Sequence, residues 1–172
     1  MVERTGIITI EGNPLTLVGP EIKVGDTAPD FTVAANDLTP ATLADFSGKV
    51  LVIASVPSLD TPVCDVETRR FNNEASALGD DVKILTISMD LPFAQARWCG
   101  AAGIEAVQTL SDHAQASFGE NWGTLIKELR LLARAVFVVG KDGKIAYVQY
   151  VSEVTEEPDY EAALKAVREL IG

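Results

Sequence analysis

The chain has 172 residues, enough for one domain with a sizeable core, and 47% of them are apolar, which sets it apart from disordered proteins. Its 14 basic and 25 acidic residues leave a net charge of −11 with His113 neutral. That balance argues against nucleic acid, which needs clustered Lys and Arg to neutralise phosphates, and against an anionic membrane surface.

GIITI (6–10) and PLTLVG (14–19) read as strands, and Glu11–Gly12–Asn13 reads as the hairpin turn between them. The start, MVERTGIITIEGNP, has no secretory pattern, because Glu3 and Glu11 flank only a short apolar run. A cytoplasmic location is therefore expected. After a polar loop from Lys23 to Pro29, FTVAAN (31–36) predicts a strand, and Leu43 to Phe46 a helical turn closed by Gly48. KVLVIASV (49–56) is mostly β-branched and apolar, as a strand covered on both faces should be. It holds the longest apolar run, far short of the roughly 20 residues that span a bilayer.

The next helix starts near Pro62, with Thr61 as its N-cap. Phe71, Ala75 and Leu78 give it a buried face, and Gly79 closes it. VKILTIS (82–88) is a second apolar strand. Asp90 is expected to cap the helix that follows, with Pro92 in the first turn and Cys99 near the end. Ser111 and Asp112 are expected to open a short helix toward Phe118. AVFVVG (135–140) and KIAYVQYV (144–151) flank the turn Lys141–Asp142–Gly143. Pro158 to Ile171 predicts a final helix with Tyr160, Leu164, Val167 and Ile171 on one face. With no repeat, low-complexity tract or linker, residues 1–172 read as a single domain. Strands alternating with helices, then a hairpin and a last helix, give an α/β fold with a mixed central sheet and an added N-terminal β-hairpin.

The chemistry centres on Cys64. A sulfur in the first turn of a helix meets free backbone N–H groups and the positive end of the dipole, which suit an anion. The thiolate is the nucleophilic form of cysteine. Asp60, Asp65 and Glu67 crowd the same turn, so a cation is required nearby. Arg69 and Arg70 lie further along the helix, and Arg134, just before AVFVV, can approach from across the sheet. A free cysteine is roughly 3% ionised at pH 7, so complete ionisation gains at most about 30-fold. Fast chemistry must come mainly from orientation and charge stabilisation, for which Thr61 and Arg134 are the candidates. Blander readings stand beside these: an inert buried thiol, a plain N-cap and a surface ion pair. Two cysteines in a reducing compartment are catalytic, redox-active or inert rather than a permanent staple.

PSLDTPVC, Pro57 to Cys64, fits the P-x-x-x-T-x-x-C pattern of peroxiredoxins. SMDLPFAQARWC (88–99), LLARAVFVV (131–139) and EPDYEAAL (157–164) resemble the resolving segment, the arginine-bearing strand and the C-terminal helix of one subfamily, the bacterial thiol peroxidases. The resemblance spans the chain. It implies a thioredoxin-like sheet flanked by helices and a thiol-dependent peroxidase that needs no cofactor and no metal. It implies that Cys64 attacks hydrogen peroxide or an organic hydroperoxide and becomes a sulfenic acid. Cys99 then resolves it as an intramolecular disulfide, which thioredoxin or a similar dithiol reduces. Thr61 and Arg134 would bind the peroxide oxygens, and Pro57 would shield the sulfur. Trp98 also fits an aromatic position of the pattern. A homodimer is implied as well. Exposed apolar residues near Pro57 and Phe93 would favour organic hydroperoxides. A disulfide needs Cα atoms within about 7 Å, so helices that hold the cysteines further apart must locally unwind. The run Gly100–Ala101–Ala102–Gly103 suits such opening.

Other chemistries fit less well. His113 is the single histidine, a Cys–His hydrolase would need it beside a cysteine, and no zinc or phosphate-loop spacing occurs. A disulfide reductase of the thioredoxin type would want C-x-x-C, which is absent around Cys64. A redox sensor that uses Cys64 and Cys99 without turnover remains open.

Overall fold

The computed structural model describes residues 1–172, the side chain of Ser76 excepted. Two sheets organise it. The smaller is a four-stranded sheet in the order β1 (Glu3–Ile10), β2 (Asn13–Val18), β8 (Leu125–Ile126), β9 (Leu131–Leu132). The larger has seven strands. β11 (Ile145–Tyr150), β10 (Ala135–Val139) and β5 (Val50–Ser55) lie on one side. β6 (Val82–Ser88), β7 (Val107–Ser111), β3 (Thr32–Ala34) and β4 (Pro40–Thr42) complete it in that order. β5, β6 and β7 run parallel, and β10 is antiparallel to β5, so the sheet is mixed as the sequence predicts. Every residue of β5 is buried, which explains its unbroken apolar run.

Helices cover both faces. α1 (Pro62–Leu78), α2 (Pro92–Ala102) and α4 (Tyr160–Ile171) are joined by a short α3 (Ser117–Asn121) and a 3-10 turn at Leu43–Phe46. On one face Phe31, Phe118, Trp122 and Phe137 pack together. On the other, Phe71, Leu164 and Val167 bury the helices against Val52, Ile84 and Val136.

Several expectations need correction. Asp90 does not cap α2, whose N-cap is Leu91. Its carboxylate instead accepts from Ser58 Oγ at 2.7 Å, Leu59 N at 2.8 Å and Ser88 Oγ at 2.7 Å. Ser111 ends β7 rather than opening a helix, and Ala116 holds the cap position of α3. Asp112 reaches that helix from a distance, accepting from the amides of Phe118 and Gly119. Ile171 is 38% exposed, so the buried face of α4 ends at Val167. The strand expected over 31–36 shortens to Thr32–Ala34, because Thr39 and Ala35 close a turn there.

Candidate active site

The site lies where β5 ends and α1 begins. Pro57 and Leu59 are buried, and the chain turns through Asp60 into Thr61, the N-cap of α1 at φ −120°. Pro62 follows at the first helical position, where its missing N–H costs nothing. Thr61 makes no side-chain cap. Its Oγ1 donates to the Ser58 carbonyl at 2.8 Å instead. The hydroxyl proton is thereby committed and its lone pairs are left as acceptors.

Cys64 is wholly buried against Val56, Leu59 and Trp98. The sequence places the sulfur in the first turn of the helix, where free N–H groups suit an anion. The helix does begin here, but apolar side chains close over the sulfur. Arg134 reaches it from the junction of β9 and β10, donating from Nη2 to Cys64 Sγ at 3.2 Å. The same guanidinium donates from Nη1 to Glu67 Oε2 at 2.8 Å and from Nε to the Val154 carbonyl at 3.1 Å. It is 2% exposed, so a surface ion pair is not its role. An arginine carries five N–H groups. Once these three bonds are made, Nη1 and Nη2 each keep one free for another acceptor.

Glu67 is the residue that sequence reading missed. It counted only as an adverse charge, whereas here it is a buried partner of Arg134. Burial pushes its carboxyl up to about 7, although the charge and hydrogen bond of Arg134 pull it down. Its Oε1 has no hydrogen-bond partner. For Arg134, burial opposes the charge, but Cys64 and Glu67 together outweigh burial and raise its pKa. The signal in the sequence was position: Glu67 lies one helical turn after Cys64 and so shares its face.

Val154 joins the site to the N-terminal hairpin. Its N–H donates to the Thr9 carbonyl at 2.9 Å, and Thr9 N–H donates to the Ser152 carbonyl at 2.8 Å. β1 therefore holds the segment whose carbonyl orients Arg134.

Cys99 and Cys64 are both free thiols. Cys99 is half-buried on α2, its Sγ 3.5 Å from Thr109 Oγ1. Trp98 packs in both apolar groups, the one around Cys64 and the one that includes Cys99. Its Nε1 donates to Asp65 Oδ2 at 3.1 Å, and the Arg69 guanidinium lies 5.8 Å from its ring centre. A groove of about 480 Å³ runs alongside, with Leu59, Asp60, Arg97 and Trp98 in its walls. His113 is exposed, and its backbone N–H donates to Ser111 Oγ, away from either sulfur. Among the described residues no three His, Cys, Asp or Glu side chains converge as metal ligands. Among the described residues, too, no helix is long and apolar enough to cross a membrane.

Fold and site define a thioredoxin-fold thiol enzyme built around one guanidinium-held cysteine. The Redoxin family model matches residues 23–164. The thiol peroxidase of Bacillus subtilis (strain 168) is 60% identical over 164 residues, covering 95% of this chain and 98% of that one. A peroxiredoxin-like protein from Aquifex aeolicus superposes with a TM-score of 0.90 at 46% identity, covering 98% of each chain. The fold is shared with a thiol peroxidase from Chromobacterium violaceum, TM-score 0.83 at 22% identity, covering 94% of this chain and 95% of that one. The chain belongs to the redoxin family, and within it to the thiol peroxidases. It is a thiol-dependent peroxidase, an oxidoreductase that consumes peroxide at the expense of a thiol.

Proposed function

We propose that Cys64 and Cys99 run a two-cysteine peroxide reduction within one chain. The contact from Arg134 Nη2 to Cys64 Sγ, 3.2 Å long inside a buried helix mouth, carries the reading. The Cys64 thiolate attacks the outer oxygen of a hydroperoxide. The S–O bond forms as the O–O bond breaks, and the leaving oxygen takes a proton to become water or an alcohol. Sulfur is oxidised by two electrons to the sulfenic acid. Thr61 Oγ1, its own proton bound to Ser58, accepts from the hydroperoxide O–H and aims it. The spare N–H of Arg134 Nη2 donates to the peroxide oxygens as charge builds. Pro57 shapes the wall. Leu59 and Trp98 cover the sulfur, so the substrate enters from the neighbouring groove when that cover shifts.

The Cys99 thiol then condenses with the sulfenic acid, forming the disulfide and releasing water. A dithiol reductant such as thioredoxin restores both thiols by exchange and leaves oxidised itself. The reading extends to hydrogen peroxide and organic hydroperoxides as substrates, to residues 1–172 acting as one domain, to a homodimer and to a cytoplasmic location. Phe93, 65% exposed where α2 starts, supports apolar substrates, whereas Pro57 is buried and contributes only to the inner wall.

One titration tests the cycle. The reduced protein receives one equivalent of hydroperoxide, is quenched within seconds, and is read by thiol count and mass. Wild type should lose both thiols to an intramolecular disulfide, Cys64→Ser should stay unreacted, and Cys99→Ser should stop at sulfenic acid. Survival of the wild-type thiols would overturn the two-cysteine cycle.

A further inference from the structure

We propose that the end of the large sheet opposite Cys64 binds a small amphipathic carboxylate, with its head between Lys49 and Lys83 and its apolar part in the cavity beside Leu51. This site is independent of the peroxidase cycle. Cys64 follows the C-terminal end of β5, whereas Leu51 sits near its start, so about 13 Å of strand separates Leu51 from the end that leads to Cys64.

The cavity measures about 290 Å³. Its walls are largely carbon, from Leu43, Phe46, Leu51 and Val139. Lys49 and Lys141 stand among the lining residues. Lys83 pairs with Leu51 in the β5–β6 ladder, so its side chain leaves the same sheet face as the Leu51 side chain. Lys141 has a carboxylate nearby, Asp81 at 3.7 Å. Lys49 and Lys83 have none within ion-pair distance among the described residues.

Two unpaired lysines side by side are out of character for a chain of net charge −11. They repel each other. Lys83 is half-buried, and burial first, then the charge of Lys49, lowers its pKa. An anion between them relieves both. Asp30 also lines the cavity, but its Oδ1 accepts from the amides of Phe31 and Leu43, and it forms no ion pair with either lysine. An inorganic anion would meet the lysines and leave the apolar walls empty. A neutral hydrocarbon would fill the walls and leave the lysines unmatched. A short chain or single ring bearing a carboxylate satisfies both, and the volume, at the lower edge of ordinary ligand sites, sets its size.

Octanoate is a suitable probe, with 1-octanol and sulfate as controls, each titrated into the reduced full-length protein and followed by two-dimensional NMR. Octanoate should give saturable shifts around Leu51, Lys83 and Val139 with a Kd on the order of 0.1–1 mM, the affinity about ten heavy atoms support. The Lys49→Gln/Lys83→Gln double variant should weaken it roughly tenfold while peroxide turnover stays unchanged. That variant removes a repulsion, so its folding is not at risk. Equal binding of octanol would overturn the role of the lysines, and equal binding of sulfate that of the cavity. Absence of saturation, or shifts confined to the groove of Arg97 and Trp98, would overturn the site altogether.

Discussion

α1 and α2 carry one cysteine each, yet α1 buries Cys64, Glu67, Thr68, Phe71 and Leu78 whereas α2 buries only Pro92 and Gln95. Gln95 ties the first turn of α2 to Ser88 Oγ and the Leu110 carbonyl. Beyond it the helix rests on Trp98 and on the contact of Cys99 with Thr109, and then ends at Gly103 in the left-handed region. In the proposed cycle the helix of the attacking sulfur is thus built into the core, whereas the helix of the resolving sulfur lies on its surface, with only its first turn buried. Reaction geometry needs the first arrangement, and disulfide formation needs the second.

The largest expected effect breaks the α1 side outright. Cys64→Ser should abolish peroxide turnover, measured with any thiol reductant. Next, Arg134→Ala should lower kcat/KM by about 10²–10³, the usual cost of one preorganised donor. Arg134→Lys should not restore it, because an ammonium cannot serve Cys64, Glu67 and Val154 at once. A urea melt of Arg134→Ala should also show a loss of roughly 3–5 kcal/mol, since Glu67 stays buried without its partner.

Glu67 sharpens the comparison through pH. Its folded pKa of about 7 lies above the ordinary 4.5, so the folded state binds the proton more tightly than the unfolded state. This contribution to stability is complete below about pH 4.5 and is lost as pH rises through about 7. Glu67→Gln should flatten that part of the stability profile, a change on the order of 3 kcal/mol at full extent. An unchanged profile would mean that the carboxyl titrates normally. On the α2 side, amides of residues 93–102 should exchange faster than those of α1 in the reduced protein and change protection on oxidation. Equally slow exchange in both redox states would remove the hinge. The smallest effect belongs to Trp98→Phe, which loses the bond to Asp65. It should speed exchange in α2 by roughly three- to tenfold, as one hydrogen bond of about 1 kcal/mol implies.

The apolar strands were legible because burial on both faces writes itself as an unbroken run, as in β5, β6 and β10. β7, VQTLS, escaped notice because polar residues interrupt it, and β8 and β9 because two residues hold no period. In the site, Cys64 at a helix start and Arg134 as its cation could be read from residue type and position. The role of Glu67 could not, because its partner lies 67 positions away. Asp90 failed for a related reason. An Asp shortly before Pro looks like a local cap, but its oxygens serve Ser58 and Leu59, some thirty positions back in the chain.

The bond from Arg134 to the Val154 carbonyl, and from Val154 back to Thr9, has a consequence for assembly. Residues 9, 64, 134 and 154 come from nearly the whole length of the chain, so the loops they close are among the longest in the fold. A refolding molecule can form α1 and much of the large sheet before the hairpin locks this corner. Helical signal should therefore return ahead of peroxide reactivity. Trimming the first ten residues, none of which touches the sulfur, should cost activity as well as stability.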